Sequence, residues 1–341
     1  MKKCLFFVLI VILGMSAMGY GEKLATLPEL IRPGALAIDD EQIYVAQEVE
    51  IYIYSLEDFS FKTKFGKAGE GPQEFKTAFG GGTAIRIIPY DDHLLVNSAG
   101  KISYYSKNGK YIKEIKIPSI SPSGGSFQPA GSGFIGMDAA ISSEDQSLCA
   151  AINLYDKKMT KIKEIFRKNV MQRGRMQYPA AASTFYVLRD RIILGGDEEF
   201  ILNIFDIEGN TLPAIKRDYK RLKVTDEYKE RVHKALKKNP ATKPLYEAIK
   251  KLIGFPDYFP AIQLFCVDAG KIYIMTYLEE DEKYETFIYS KDGKILKRVF
   301  LPFKYTDGVE ANPYTFHNNK FYQLIENEET EEWELHAAKI E

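Results

Sequence analysis

This chain of 341 residues has few cysteines, few histidines and a net charge close to zero, and each of these features excludes a class of protein. Three cysteines are too few for a small scaffold held together by disulfides. The four histidines have no spacing that suits a metal site; they are His93, His233, His317 and His336. Because 46 basic residues face 47 acidic ones, the chain has no general attraction to nucleic acid, and we predict no nucleic-acid partner.

Aromatic residues, by contrast, are abundant. Most of the 13% aromatic content comes from 22 tyrosines and 21 phenylalanines. These residue types favour the pleated surface of a β-sheet over a helix. With 45% hydrophobic residues, the chain can build either two ordinary domains or one large all-β domain.

The first residues have the pattern of a signal peptide. Lys2 and Lys3 precede an uninterrupted apolar run from Leu5 to Leu13, which is short for a membrane-spanning helix. The small residues that would permit cleavage are Gly14, Ser16, Ala17, Gly19 and Gly21. We therefore predict that residues 1–21 are a signal peptide and that the protein is exported, either periplasmic or secreted. An uncleaved anchor is the alternative.

Cys4 lies before the apolar run and is removed with the predicted signal peptide. Two cysteines, Cys149 and Cys266, then remain. An exported protein could join the two in a disulfide. Both lie in apolar strand patterns, LCAAINLY and IQLFCVD, that belong to distant repeats. We predict two buried free thiols instead.

One short pattern recurs along the chain: an apolar strand ends in an aromatic residue, followed by serine or aspartate and then a turn. The pattern ends at Ser55, Ser106, Asp156, Asp206 and Ser290, with spacings of 51, 50, 50 and 84 residues. Each repeat resembles four antiparallel strands, with hairpin turns such as Asn108-Gly109 and Asp292-Gly293. Four-stranded units of about 40 to 50 residues are typical of a β-propeller.

The predicted fold class is all-β, a six-bladed β-propeller of four-stranded antiparallel blades over residues 22–341. The sixth unit lacks a fourth strand before Glu341, and the segment KLATLPEL, beginning at Lys23, offers that strand. Closing the ring in this way would satisfy two exposed sheet edges at once. An open solenoid or two sandwiches are the alternatives, and a monomer is expected.

The blade pattern, the segment FGKAGEGPQEF (65–75) and the phrase FPAIQLFCVDAGKIYI resemble the NHL-like six-bladed β-propeller proteins that many bacteria export. The resemblance covers about residues 24–341. It implies a fold and an exported binding or scaffolding role rather than one particular chemistry.

The spacing of 84 residues indicates an insertion of two helices, at about residues 219–255, between blades four and five. Thr225 has the features of an N-cap, and Pro240 would end the first helix. The residues that would share one face of that helix are Tyr228, Val232, Ala235 and Leu236. A second helix would start near Pro244 and end at Gly254. On one side it would place Leu245, Ile249, Leu252 and Ile253.

The insertion is strongly basic. From Lys216 to Ile253, thirteen lysines and arginines oppose five acidic residues. A concentration of charge of this kind can dock an acidic partner or a membrane surface. The alternative is a solvated polar face whose apolar side packs on the propeller.

The segment FGKAGEGPQEF joins the first two predicted blades. It is not a nucleotide-binding loop, because its glycines follow the order G-x-x-G-x-G and lead into another strand rather than a helix. We predict a turn in which Gly66, Gly69 and Gly71 adopt unusual backbone angles and Phe75 anchors the turn between blades. Other blade connections, SPSGGSFQP, MQRGRMQYP and the helical insertion, fall on the same face, where the central funnel opens and a ligand is expected.

No pattern in the sequence indicates a cofactor, a metal or a catalytic centre. The predicted innermost strands TAIRII, STFYVL, AIQLFCV and PYTFHN carry no carboxylate, which a hard cation requires. Asp138 and Asp268 flank such strands and are expected to make turn hydrogen bonds. The chain has no G-x-S-x-G nucleophile elbow, and no spacing singles out a catalytic triad.

Polar residues on the predicted funnel face are the candidate ligand-binding residues. They are Arg86, Arg173, Arg175, Tyr178, Tyr258, Lys67 and Gln73. Arg86 lies on an innermost strand, where a charge needs a partner or a ligand. For each of these candidates, the alternative is loop solvation or a salt bridge between blades.

The predicted function is recognition of a protein, peptide or carbohydrate at the funnel face without catalysis. The alternative is a lyase or hydrolase that uses the same funnel.

Overall fold

The computed structural model describes residues 21–77, 83–117, 126–141, 148–169, 171–172, 175–179, 184–195, 198–240, 242–306 and 309–340. Within these ranges the chain forms six four-stranded antiparallel sheets, which are the blades of a propeller. The six-bladed fold predicted from the fifty-residue repeat is therefore confirmed. Residues 1–20 of the predicted signal peptide, and the candidate residue Arg173, lie outside the described residues.

Blades 1 to 3 follow the predicted pattern, each running from an innermost to an outermost strand. Blade 1 comprises Pro33–Ile38, Gln42–Gln47, Glu50–Ser55 and Phe61–Phe65. Blade 2 comprises Arg86–Tyr90, His93–Ser98, Lys101–Ser106 and Tyr111–Lys116. Blade 3 comprises Ser126–Ala130, Gly133–Ile141, Leu148–Tyr155 and Lys161–Asn169.

Blades 4 to 6 complete the ring, and the last of them takes its outermost strand from the N-terminal part of the chain. Blade 4 comprises Phe185–Leu188, Arg191–Leu194, Ile201–Asp206 and Thr211–Lys216. Blade 5 comprises Leu264–Asp268, Lys271–Glu280, Lys283–Ser290 and Ile295–Pro302. Blade 6 comprises Tyr314–His317, Lys320–Glu326, Trp333–Lys339 and Glu22–Thr26. The last two pair antiparallel, which confirms the predicted closing strand.

The core consists of six clusters of buried side chains, one between each pair of neighbouring blades in the described chain. The cluster between blades 6 and 1 joins Leu27, Trp333 and Leu335 to Ile43 and Val45. Successive side chains of a strand point to opposite faces of its sheet. Each blade therefore buries both faces against its neighbours, which explains the continuous apolar runs in its central strands.

Amide side chains join neighbouring blades through backbone groups. Asn97 of blade 2 accepts a hydrogen bond from the backbone nitrogen of Phe127 at 2.9 Å and donates one to its oxygen at 3.0 Å. Gln128 of blade 3 accepts from the backbone nitrogen of Val187 and donates to the oxygen of Phe185, both at 3.0 Å. Because each amide satisfies two buried backbone groups, these contacts hold adjacent blades in register.

The connections between blades contain the remaining elements. Helix α1 (Asp226–Lys238), a 3-10 turn (Lys243–Leu245) and helix α2 (Tyr246–Leu252) lie between blades 4 and 5. Short strands pair in three further places. They are Lys67–Ala68 with Glu74–Phe75, Tyr305–Thr306 with Glu310–Ala311, and Met171–Gln172 with Arg175–Gln177 and Ile253–Gly254. Over the described ranges, no helix is long and apolar enough to cross a membrane.

The first inserted helix forms as predicted. Thr225 is its N-cap, and the Thr225 side chain accepts a hydrogen bond from the backbone nitrogen of Tyr228 at 3.2 Å. Tyr228 and Val232 are buried, as the apolar spacing of the sequence indicates. The backbone nitrogen of Asn239 bonds to the oxygen of Ala235 and ends the helix just before Pro240.

The predicted apolar side of the second helix is wrong in part. Leu245 and Leu252 are 47% and 44% exposed, and α2 instead buries Tyr246. The Tyr246 hydroxyl lies 3.2 Å from Nδ1 of His233 on α1, so tyrosine occupies the inward position. A 3-10 turn precedes a helix of only seven residues, and a period of 3.6 residues does not extend across that change.

The turn between blades 1 and 2 differs from the prediction at one glycine. Gly66 and Gly69 have positive φ angles of 102° and 148°, and Phe75 is fully buried, as predicted. Gly71 does not adopt a positive φ; Gln73, with a φ of 65°, does so instead. The reason is that the nitrogen of Gly71 donates to the Glu74 carboxylate at 2.9 Å, which holds an ordinary backbone angle there.

Candidate functional site

The two faces of the propeller follow from the strand order. In every blade the turn after the innermost strand lies on one face, and the connection to the next blade lies on the other. The hairpin between the second and third strands lies on the same side as these connections. We call this side the connection face, and it is the face on which the sequence predicts a ligand.

A channel cavity of about 790 Å³ lies between the innermost strands. All six blades contribute to its wall. Its polar lining residues include Arg86, Gln128, Tyr186, Gln263, Cys266 and Tyr314. A central cavity of this kind is the usual place for a ligand in a closed β-structure.

A second cavity, of about 660 Å³, opens on the connection face. Aromatic side chains form the largest group in its wall, which also contains Arg231, Glu279, Glu282 and Lys304, and we call it the tyrosine pocket. The aromatic residues are Tyr178, Tyr228, Tyr277, Tyr284, Tyr305, Tyr314, Phe259 and Phe303. These residues come from α1, three blade connections, one hairpin of blade 5 and the innermost strand of blade 6.

The aromatic rings of the tyrosine pocket support each other. Tyr277 stacks on Phe259 with ring centroids 4.5 Å apart, and Phe259 meets Tyr228 edge to face at 4.9 Å. On the other side, Phe303 packs edge to face against Tyr305 at 5.1 Å and Tyr314 at 5.2 Å. Such contacts limit the movement of the rings, so the pocket wall is preorganised.

The two cavities are continuous. Gln263, Leu264, Ala311 and Tyr314 line both of them. Gln263 and Tyr314 stand where the innermost strands of blades 5 and 6 begin, next to the connection face. A ligand held among the tyrosines could therefore extend into the channel.

Burial raises the pKa of several pocket tyrosines. It raises the pKa of Tyr228 to about 12 and raises the pKa of Tyr305 and Tyr314 well above the ordinary value. Their hydroxyls are protonated at physiological pH, as those of ordinary tyrosines are, and can donate as well as accept hydrogen bonds. The Tyr284 hydroxyl already donates to Glu279 at 2.8 Å, at the exposed rim.

Arg86 is the cation of the channel wall near the connection face. It is half-buried, it donates a hydrogen bond to the Ser126 hydroxyl, and its guanidinium lies 5.5 Å from the ring centroid of Tyr186. The Tyr186 hydroxyl in turn lies 3.3 Å from Sγ of Cys266. No carboxylate in the described part of the chain forms an ion pair with Arg86.

The cysteines are buried in blades 3 and 5 and are unbonded to each other, as the sequence predicts for Cys149 and Cys266. Burial raises the pKa of the Cys266 thiol to about 11. A thiol of this kind is protonated at physiological pH, whereas the thiolate is the nucleophilic form. Cys266 therefore contributes a weak polar group to the channel rather than an activated nucleophile.

Acidic residues gather at the opposite end of the channel, in the turns after the innermost strands. Nε2 of His317 lies 3.2 Å from the Asp40 carboxylate, and Nδ1 lies 3.9 Å from Asp268. Burial raises the pKa of Asp268. Where side chains are described, no group of three His, Cys, Asp or Glu is placed to hold a metal ion.

The structure separates the candidate residues that the sequence groups together. Arg86 lines the channel and Tyr178 lines the tyrosine pocket. Tyr258 is exposed outside the pocket, with the guanidinium of Arg221 5.6 Å from its ring. The other described candidates are exposed on the connection face; they are Lys67, Gln73 and Arg175.

Sequence reasoning missed most of the tyrosine pocket and Gln263. The available signal was the bunching of aromatic residues beside turns, in YLEEDEKY (277–284) and FKYTDG (303–308). It also missed Asp39 and Asp40, although both follow an apolar strand in PGALAIDD. A recurrence of aspartate after the innermost strands of blades 1 and 5 would have indicated an acidic end of the channel.

No protein-family model matches the chain, and a search of curated proteins finds no match. The crystal structure of a "Putative exported protein" from Bacteroides fragilis superposes with a TM-score of 0.54 at 11% sequence identity, covering 94% of each chain. A member of the DUF4221 family from Bacteroides vulgatus superposes with a TM-score of 0.47 at 13% identity, covering 94% of this chain and 95% of the other. The first likeness supports the six-bladed propeller fold, while membership of the NHL-like family stays a prediction.

Proposed function

We propose that this protein is an exported, non-catalytic propeller that binds a carbohydrate in the tyrosine pocket. The main support is the pocket itself, a concavity of about 660 Å³ walled by six tyrosines and two phenylalanines. A concave pocket suits a small ligand, whereas a stable protein partner requires about 800 Å² of surface on each side. The signal-peptide pattern of residues 1–21 supports export to the periplasm or the medium.

The chemistry of the wall favours a carbohydrate over a peptide. A tyrosine combines an apolar ring with a polar tip, and a sugar combines apolar C–H faces with hydroxyl groups. Peptides are usually held by an open sheet edge or by deep apolar pockets for their side chains. Here six of the eight rings carry hydroxyls, and the polar side chain of Gln263 also lines the pocket.

Tyr277→Ala should weaken binding of an oligosaccharide about 30-fold, because truncating a central aromatic residue typically costs about 2 kcal/mol of binding free energy. The measurement is an oligosaccharide array, followed by calorimetric titration of the tightest binder. Tyr90→Ala is the matched control, since Tyr90 is exposed at the turn that ends the innermost strand of blade 2, on the opposite face.

Other outcomes would contradict the proposal. If the array is silent and a peptide library binds in a way that depends on Tyr277, the ligand class is wrong. If Tyr90→Ala and Tyr277→Ala weaken binding equally, the ligand is not held in the tyrosine pocket. Cleaved products in mass spectra of protein and ligand would contradict the absence of catalysis and support a lyase or hydrolase.

A second candidate function rests on the exposed side of the helical insertion. Leu245 and Leu252 are exposed there beside Lys243, Lys250 and Lys251, which are also exposed. Exposed leucines next to lysines on a short amphipathic segment suit the surface of an anionic membrane. We propose that this surface can hold the propeller peripherally on anionic lipid.

Lys250→Glu with Lys251→Glu should weaken binding to vesicles of phosphatidylcholine and phosphatidylglycerol about 30-fold or more, at about 1 kcal/mol for each lysine. Leu245→Ser with Leu252→Ser should also weaken it. Ile162→Ser is the control, because Ile162 is exposed on the outermost strand of blade 3. The measurement is co-sedimentation, and equal sedimentation of all these variants would exclude the proposal.

A further inference from the structure

We propose that the channel recognises a carboxylate, held by Arg86, on a sugar that enters through the tyrosine pocket. The ligand class is thus an acidic sugar of the uronate type. This inference rests on the proposed carbohydrate binding and specifies its chemistry.

Arg86 has the position and the contacts of an anion-binding residue. It is the first residue of the innermost strand of blade 2, so it lies at the connection-face end of the channel. Its guanidinium contacts the Ser126 hydroxyl and the Tyr186 ring, which are both uncharged. A half-buried guanidinium without an acidic partner among the described residues favours a counterion, and its planar fork fits a carboxylate.

The side chain of Gln263 independently indicates a ligand at the same end of the channel. Both polar atoms of its side chain are buried, and neither has a hydrogen-bond partner in the described structure. Buried polar atoms are rarely left unsatisfied, because the desolvation of the group is then uncompensated. A sugar hydroxyl can donate and accept, so it can satisfy both atoms where the pocket meets the channel.

The acidic groups of the channel do not occupy this end. Asp39, Asp40 and Asp268 lie in or next to the turns on the opposite face. Each has a basic group near it: Lys107 lies 2.8 Å from Asp39, while His317 lies 3.2 Å from Asp40 and 3.9 Å from Asp268. Three carboxylates at that end therefore share one lysine and one histidine, so a ligand carboxylate is favoured at Arg86 rather than farther in.

The test is a calorimetric titration with D-glucuronate and D-galacturonate, compared with D-glucose, D-galactose and the methyl ester of D-glucuronate. The wild-type protein should bind the two acids about tenfold more tightly than the neutral sugars, or better. Arg86→Gln should abolish that preference, and Arg86→Lys should retain part of it. Gln263→Leu should weaken acidic and neutral sugars alike while keeping the preference.

Several results would overturn the inference. The wild-type protein could bind the ester as tightly as the acid. It could bind no uronate at about 100-fold the concentration that saturates neutral sugars, which is about two decades of affinity. The Arg86→Gln variant could keep the full preference for acidic sugars. The comparison of the acid with its ester uses only the wild-type protein, so it tests recognition of the carboxylate even if Arg86→Gln does not fold. Neutral oligosaccharides that still bind in a Tyr277-dependent way would leave the carbohydrate function intact. If an N-acetylated dipeptide binds only with a free carboxyl terminus while uronates do not, the carboxylate comes from a peptide, and the sugar assignment falls.

Discussion

Gly66→Ala should lower the free energy of unfolding by about 3 to 5 kcal/mol, because two costs add at this position. Gly66 has a φ of 102°, which residues with a Cβ rarely adopt. An added Cβ would also lie against the backbone oxygen of Val49, closer than van der Waals contact permits, and 3.0 Å from the Phe75 ring. Neither neighbour can move freely, since one is backbone and the other is fully buried between blades 1 and 2.

Gly100→Ala is the matched control for this prediction. Gly100 has a φ of 83°, but nothing lies within 4 Å of an added Cβ. It should therefore show the backbone cost alone, about 1 to 2 kcal/mol. Denaturant unfolding of both variants measures the difference. Equal losses would mean that the turn between blades 1 and 2 adapts, and that Phe75 does not hold it in place.

Removal of residues 21–27 should cost about 5 kcal/mol and expose Trp333, the only tryptophan of the chain. The deleted strand pairs with Trp333–Lys339, and Leu27 is fully buried between blades 6 and 1. We count about 1 kcal/mol for each of the few backbone hydrogen bonds lost and about 2 kcal/mol for Leu27. An open ring also leaves two sheet edges unpaired.

The fluorescence of Trp333 reports this change directly. Trp333 is buried, and its indole nitrogen donates to the backbone oxygen of Ile31 at 3.0 Å. Its emission should shift to longer wavelength in the truncated protein, and a peptide of residues 21–31 should restore it. Lys23→Ala is the control, because its ion pair with Glu334 is half exposed and contributes no more than about 1 kcal/mol. Unchanged emission and stability after truncation would show that blade 6 does not need its N-terminal strand.

The sequence by itself determined the elements whose signals are local. Hairpin turns such as Asn108-Gly109, the recurring apolar strand that ends in an aromatic residue and the spacing of fifty residues predicted six blades, and the structure has six. Thr225 was also predicted correctly, because an N-cap depends on neighbours a few residues away. The burial of Phe75 was predicted from its place in the turn between two blades, although its contacts come from distant parts of the chain. The 3-10 turn before α2 interrupts the helical period of 3.6 residues. The predicted positions of Leu245 and Leu252 were therefore wrong.

Only the tertiary structure decided which side chains meet at the connection face. Tyr178 and Tyr314 line one pocket although more than 130 residues separate them, and no sequence period links them. The same holds for Gln263, whose amide has no hydrogen-bond partner among the described residues, a fact that depends on where the neighbouring strands lie. Turn chemistry and apolar strand patterns act over a few residues, whereas the convergence of side chains depends on how far each blade is rotated from the next and on the path of each connection. The number of blades could therefore be predicted from the chain, but the site between them could not.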